Sequence, residues 1–182
     1  MKKQLYVMFS RVLFPGRFQP VHNGHVQVVK WLLSISKEVI ILVTAGQYNY
    51  TVENPFTAGE RLEMLRLALW EFWDRLFVLS LDNIPDNSLW LSYVSRRVPR
   101  FEAVCTGNAF VKMLAEASGY KVLEAPQYNR EELQGRRIRE AMAKGDRWEN
   151  TVPTRVAEYI KSIRGVERVK ALSSSENVVV KL

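Results

Sequence analysis

A doubly wound α/β domain, its parallel sheet covered by helices on both faces, is predicted by three observations. Short apolar runs rich in β-branched residues alternate with segments of helical periodicity. The runs are apolar at nearly every position, as strands buried on both faces require. A glycine-bearing stretch joins the end of the first run to the first helix, where such folds bind ligands. With 182 residues, 47% of them hydrophobic, the chain suffices for one core of this kind, and two domains would be cramped. A single domain is expected over residues 1–171, followed by a tail.

The candidate strands are Val12 to Phe14, Val39 to Thr44, Leu76 to Ser80, Glu102 to Thr106 and Lys121 to Leu123. After the first comes Gly16-Arg17-Phe18-Gln19-Pro20-Val21-His22-Asn23-Gly24-His25, and then Val26, Val29 and Leu33 recur at helical spacing. A helix start of this kind offers free N–H groups and a positive dipole end to an anion. Gly16 and Gly24 would let a phosphate approach the backbone. His22 and His25, the chain's two histidines, are three apart and can face one ligand. Arg17 adds a guanidinium fork suited to phosphate.

Further along, Thr57-Ala58-Gly59-Glu60 has the form of a capping box, and Leu62, Leu65, Leu69 and Trp73 then share a face. Pro85 to Trp90 leads into a helical pattern that ends before Pro99. Gly107-Asn108 follows the fourth strand. Ala109 to Ser118 and Arg136 to Lys144 read as helices, with Gly119 and Gly145 placed as left-handed C-caps. Thr151 to Thr154 opens a last helix to about Ile163. The tail, residues 172–182, carries a serine run expected to be mobile and then Val178 to Val180, expected to form an edge strand or to pair with another subunit.

A formal charge of +7 and a pI near 9.6 favour anionic partners. The basic run Arg130 to Arg139 is not interleaved with aromatics in a recognised nucleic-acid motif, so small anionic substrates are preferred over RNA or DNA. One cysteine, Cys105, excludes an internal disulfide and reads as a buried strand thiol. Neither a cleavable leader nor an apolar stretch approaching the ~20 residues of a membrane span is evident, and a cytoplasmic protein is expected.

Gly-Arg-Phe-Gln-Pro followed by His-x-Gly-His resembles the signature of the nucleotidylyltransferase superfamily. Glu53-Asn54-Pro55-Phe56-Thr57-Ala58-Gly59-Glu60-Arg61 narrows the resemblance to the archaeal-type nicotinamide mononucleotide (NMN) adenylyltransferases. Asn87 to Trp90, Gly107-Asn108 and the Trp148 to Pro153 segment match that family in type and order, so the similarity spans roughly residues 11–171. It implies a Rossmann-like fold and the joining of ATP and NMN into NAD and pyrophosphate, with Mg²⁺ held mainly by ATP phosphates and water. A homo-oligomer is implied as well.

Residue by residue, the resemblance assigns Arg17, His22, His25 and Arg139 to the ATP phosphates, with His22, His25 and Arg139 catalytic. Gly16, Phe18, Gln19, Gly24, Gly135 and Arg136 fall in the ATP-binding motifs. Asn87 and Trp90 take positions that bind the nicotinamide ring, by carboxamide hydrogen bonds and by stacking, and Gln47 aligns with a substrate-facing glutamine. Without the resemblance, Trp90 reads as a core residue and Asn87 as a helix N-cap.

Two departures stand out. The family's Ser-Gly-Thr-x-x-Arg element is here Gln134-Gly135-Arg136-Arg137-Ile138-Arg139, lacking two hydroxyl donors, and Asn83 replaces a more usual aspartate. The altered loop keeps open a nucleotide-binding paralogue without catalysis, and the superfamily resemblance keeps open a transferase acting on another phosphorylated acceptor.

Overall fold

The computed structural model describes residues 8–126, 128 and 132–179. Its elements are β1 (Phe9–Gly16), α1 (Asn23–Ile35), β2 (Ser36–Val43), α2 (Ala58–Leu69), β3 (Leu76–Ser80), α3 (Trp90–Ser95), β4 (Ala103–Cys105), α4 (Ala109–Ala117), β5 (Lys121–Leu123), α5 (Gly135–Lys144), α6 (Thr154–Ser162) and α7 (Gly165–Val179). Short 3₁₀ turns lie at Trp70–Arg75, Asn87–Leu89 and Glu149–Thr151. All strands are parallel, in the order β3-β2-β1-β4-β5, so the order reverses between β1 and β4.

Strand side chains alternate between two cores. Val12, Phe14, Val39, Ile41, Val43, Ala103 and Cys105 face one that α1, α2, α5, α6 and α7 cover. Leu13, Ile40, Leu42 and Val104 face the other, closed by Trp90, Leu91 and Val94 of α3 and by Ala115 of α4. Burial on both faces explains why these strands read as continuous apolar runs.

The helix-end signals act as read from the sequence. Thr57 Oγ1 accepts from the Glu60 N–H (3.2 Å), and Glu60 Oε2 accepts from the Thr57 N–H (2.9 Å). Gly119 and Gly145 adopt φ of +77° and +81° at the ends of α4 and α5. The tail, however, differs from expectation. Leu172 to Val179 continue α7 rather than forming an edge strand, and Val180 lies outside the described residues.

Helix α7 is tied back to α2. Arg168 Nη1 and Nη2 pair with the two Glu60 carboxylate oxygens at 2.6 and 2.8 Å, and Nη1 also donates to the Pro55 carbonyl. Glu60 therefore closes a capping box and anchors a second helix. Thr57→Ala should lower folding stability by about 1 kcal/mol. Urea unfolding of the two proteins checks this, and an unchanged midpoint would show that the Arg168 pair holds the helix start alone.

Candidate functional site

The expected site residues lie at the carboxyl ends of the strands, in the loops that leave them and in the helices those loops lead to. Next to the β1–β4 reversal lies a cleft of about 540 Å³, lined among others by His22, His25, Thr106, Asn108, Lys112 and Tyr128. Its floor includes Phe14 and Cys105, and burial pushes the Cys105 thiol up to about 12.

His22 is the N-cap of α1, and His25 lies in its first turn. Their rings stack with centroids 3.6 Å apart. His25 Nδ1 accepts from the His22 backbone N–H at 3.2 Å, so its proton sits on Nε2, the donor the ring can offer. His22 Nδ1 is buried with no partner among the described residues. Burial pulls His22 down to about 4, while burial and then the neighbouring His22 pull His25 well below its usual range. Both imidazoles are thus neutral near pH 7, ready to gain charge only against an anion.

The two glycines of this stretch also have a packing role. A Cβ on Gly16 would meet the Phe18 ring at 2.9 Å, and one on Gly24 would meet His22 Nδ1 at 3.0 Å. Each makes room for a neighbouring ring. Phe18 itself is 1% exposed, holds φ of +53° and packs edge-on against Phe14 at 5.7 Å and beside His25 at 4.7 Å. A left-handed non-glycine residue costs roughly 1–2 kcal/mol, which this ring packing offsets. Gln19 Nε2 donates to the Phe56 carbonyl at 2.8 Å, and its Oε1 accepts from the Phe56 N–H at 3.0 Å. The Phe18 and Gln19 side chains thus pack into the scaffold of the β1–α1 loop.

On the other flank stand Arg17 and Arg139. Arg139 Nη1 donates to the Gln19 carbonyl at 2.7 Å and Nε to the Val52 carbonyl at 3.1 Å. Burial, and next the nearby Arg17 charge, lower its guanidinium to about 10. Arg17 is half-exposed and lies 3.5 Å from the Glu53 carboxylate. A Cβ on Gly135 would come within 2.8 Å of the Gln19 carbonyl, so the start of α5 abuts the β1–α1 loop there. Arg136 points elsewhere. It is on the solvent face, in an ion pair with Glu140 one turn on at 2.8 Å.

The acceptor-side residues divide. Asn87 is exposed at the start of a 3₁₀ turn whose cap is Asp86, accepting from the Ser88 N–H. Trp90 is 8% exposed and packs in the second core. Gln47 bonds both backbone groups of Asn83, at 3.2 and 3.0 Å, tying the loop after β2 to the loop after β3.

Sequence reasoning missed the role of Arg61. It is fully buried, with Nη1 donating to the Arg17 and Thr44 carbonyls (3.0 and 2.9 Å), Nη2 to Ala45 (3.1 Å) and Nε to Thr57 (3.2 Å). No sequence signal separates it from a surface arginine. Asn108 was legible only as part of a family match. Its Oδ1 caps α4 by accepting from the Phe110 and Val111 N–H groups.

The profile of the family described as cytidylyltransferase-like matches residues 13–174. The chain belongs to that family. Among its relatives, the nicotinamide-nucleotide adenylyltransferase of Thermococcus onnurineus (strain NA1) is 44% identical over 170 residues, covering 92% of this chain and 91% of that protein. The enzyme of the same name from Pyrobaculum aerophilum is 45% identical over 171 residues, covering 92% and 96%. At these identities the chain is a nucleotidyltransferase of the nicotinamide-nucleotide adenylyltransferase group.

The fold matches a bifunctional NMN adenylyltransferase/ADP ribose pyrophosphatase from Francisella tularensis complexed with AMP and a manganese ion. The TM-score is 0.76 at 18% identity, covering 96% of this chain and 54% of that one. The chain therefore spans about half of that larger protein. No helix among the described residues is long and apolar enough to cross a membrane.

The neutral buried His22 makes stability depend on pH. An unfolded imidazole binds its proton near pH 6.5 and the folded one only near 4, so stability falls as pH drops through that window. From pH 7 to pH 5 His22 alone should cost about 2 kcal/mol. Urea unfolding at both pH values is expected to show that His22→Asn is less pH-sensitive by about this amount. Equal sensitivity would mean the ring is solvated.

Proposed function

We propose that this cytidylyltransferase-like protein transfers AMP from ATP to NMN, giving NAD and pyrophosphate by direct attack of the NMN phosphate on the α-phosphorus. The observation that carries the reading is the order of groups along the sheet edge. Asn87 follows β3, Gln47 follows β2, Arg17 and the histidine pair follow β1, and the cleft with Thr106 and Asn108 opens toward β4. Cationic and N–H donors thus stand between two places where nucleosides can lie. The acceptor comes from the β2–β3 side and the ATP nucleoside from the cleft. The identity of over 40% to enzymes named for this activity supports the same assignment.

A phosphate monoester has a second pKa near ~6, so the NMN phosphate attacks as a dianion and needs no general base. The protein's work is alignment and charge neutralisation. His25 Nε2–H donates to the triphosphate. His22 sits beside it with a nitrogen that has no partner among the described residues, and Arg139 and Arg17 offer fixed positive charge to the leaving pyrophosphate. Arg139 is held by two carbonyls, so its position is set before substrate arrives.

Among the described residues no three His, Cys, Asp or Glu side chains gather to hold a metal ion. ATP enters as its Mg²⁺ complex, with the ion on phosphate oxygens and water, as its hydration preference allows. The working form is a homo-oligomer in the cytoplasm, its ligands small anions rather than nucleic acid.

Pyrophosphate release with ATP, Mg²⁺ and NMN tests the reading. Release should require NMN, exceed that with phosphopantetheine, FMN or glycerol phosphate, and fall ~10² to 10³ in kcat for His22→Ala. A better acceptor than NMN would overturn the substrate assignment. Arg136→Ala should stay within about twofold of the parent, as expected for a solvent-face ion pair. A tenfold loss would return Arg136 to the phosphate site.

A further inference from the structure

Arg61 is a buried cation whose hydrogen bonds, among the described residues, all go to carbonyl oxygens and none to a carboxylate. Isolated charge in a protein interior is costly unless another charge compensates it. Glu60, its neighbour in sequence, is bound to Arg168. Burial alone lowers Arg61 to about 10, which leaves it protonated at neutral pH. The carbonyls it grips belong to Arg17 in the loop after β1, to Thr44 and Ala45 at the end of β2, and to Thr57 at the start of α2.

We propose that Arg61 is the positioning residue of the transfer site. Its guanidinium registers the Arg17 loop against the end of β2, and its unpaired charge beneath that loop has the bound polyphosphate as counterion. The inference rests on the reading that the Arg17 loop takes the phosphates of ATP. It predicts two separable effects, because the fork geometry sets register while the charge sets anion affinity. A lysine keeps the charge and loses the fork, whereas a methionine keeps much of the volume and loses both.

The test compares the parent, Arg61→Lys and Arg61→Met by calorimetric titration with inorganic tripolyphosphate, by kcat and KM with ATP and NMN, and by urea unfolding. Arg61→Lys should bind tripolyphosphate within about threefold of the parent while kcat falls about 10- to 100-fold, as for a misregistered catalytic group. Arg61→Met should lose at least about tenfold in tripolyphosphate affinity as well. A purely structural arginine would instead lower the unfolding midpoint with kcat and anion affinity of the folded protein unchanged, and that result overturns the proposal. If Arg61→Met does not fold, the division in Arg61→Lys between kept binding and lost kcat decides. A parent that binds tripolyphosphate through Arg61 yet releases no pyrophosphate with NMN would sink the substrate reading and leave this inference standing.

Discussion

The working end of this sheet is held together by a buried guanidinium bound to backbone carbonyls. Parallel strands stop at one edge, and beyond that edge the loops have no ladder to pair with. Arg61 supplies the missing donors to two of them at once, the loop after β1 and both ends of the loop after β2. Gln19 and Gln47 do related work on a smaller scale, each presenting an amide to one residue's N–H and C=O as a neighbouring strand would. Arg139 adds a fourth tie, from α5 to the loops after β1 and β2. The loops that carry the chemistry are thereby fixed by side-chain bonds to backbone, in the region where flexibility would blur alignment.

Two kinds of donor meet here, one charged and one neutral. The arginines keep their charge whatever the ligand state, since even the buried ones remain protonated well above neutral pH. The stacked imidazoles are neutral in a buried setting and respond to what enters the cleft. Fixed charge attracts and orients a polyanion, and a polarisable neutral pair can strengthen its bonds as negative charge grows on the leaving group. This division suits a reaction whose nucleophile already carries its charge.

Much of the fold was legible because its signals are local. Strands apolar at every position, the Thr57–Glu60 box and the C-cap glycines each depend on residues within a few positions of one another. The histidine pair was legible for the same reason, being three apart at a helix start. What failed to show was long-range. Arg61, Gln19 and Arg168 act on backbone or side chains 16 to 113 residues away, and composition offers no sign of it. Trp90 reads from the sequence as a core residue and by resemblance as a ring-stacking one, and it lies in the core cluster that holds Leu13, Leu42 and Val104. The tail was misread because a Ser and Val run lowers helix propensity without forbidding a helix.

Cys105 gives the molecule an unplanned practical property. It is the chain's lone thiol, 1% exposed at the floor of the cleft, and its raised pKa keeps the nucleophilic thiolate scarce at neutral pH. Maleimide or iodoacetamide chemistry therefore has no competing native target on the surface. A fluorophore or spin label can be attached through one introduced cysteine, on α5 or on the loop after β3, with the natural residue left in place.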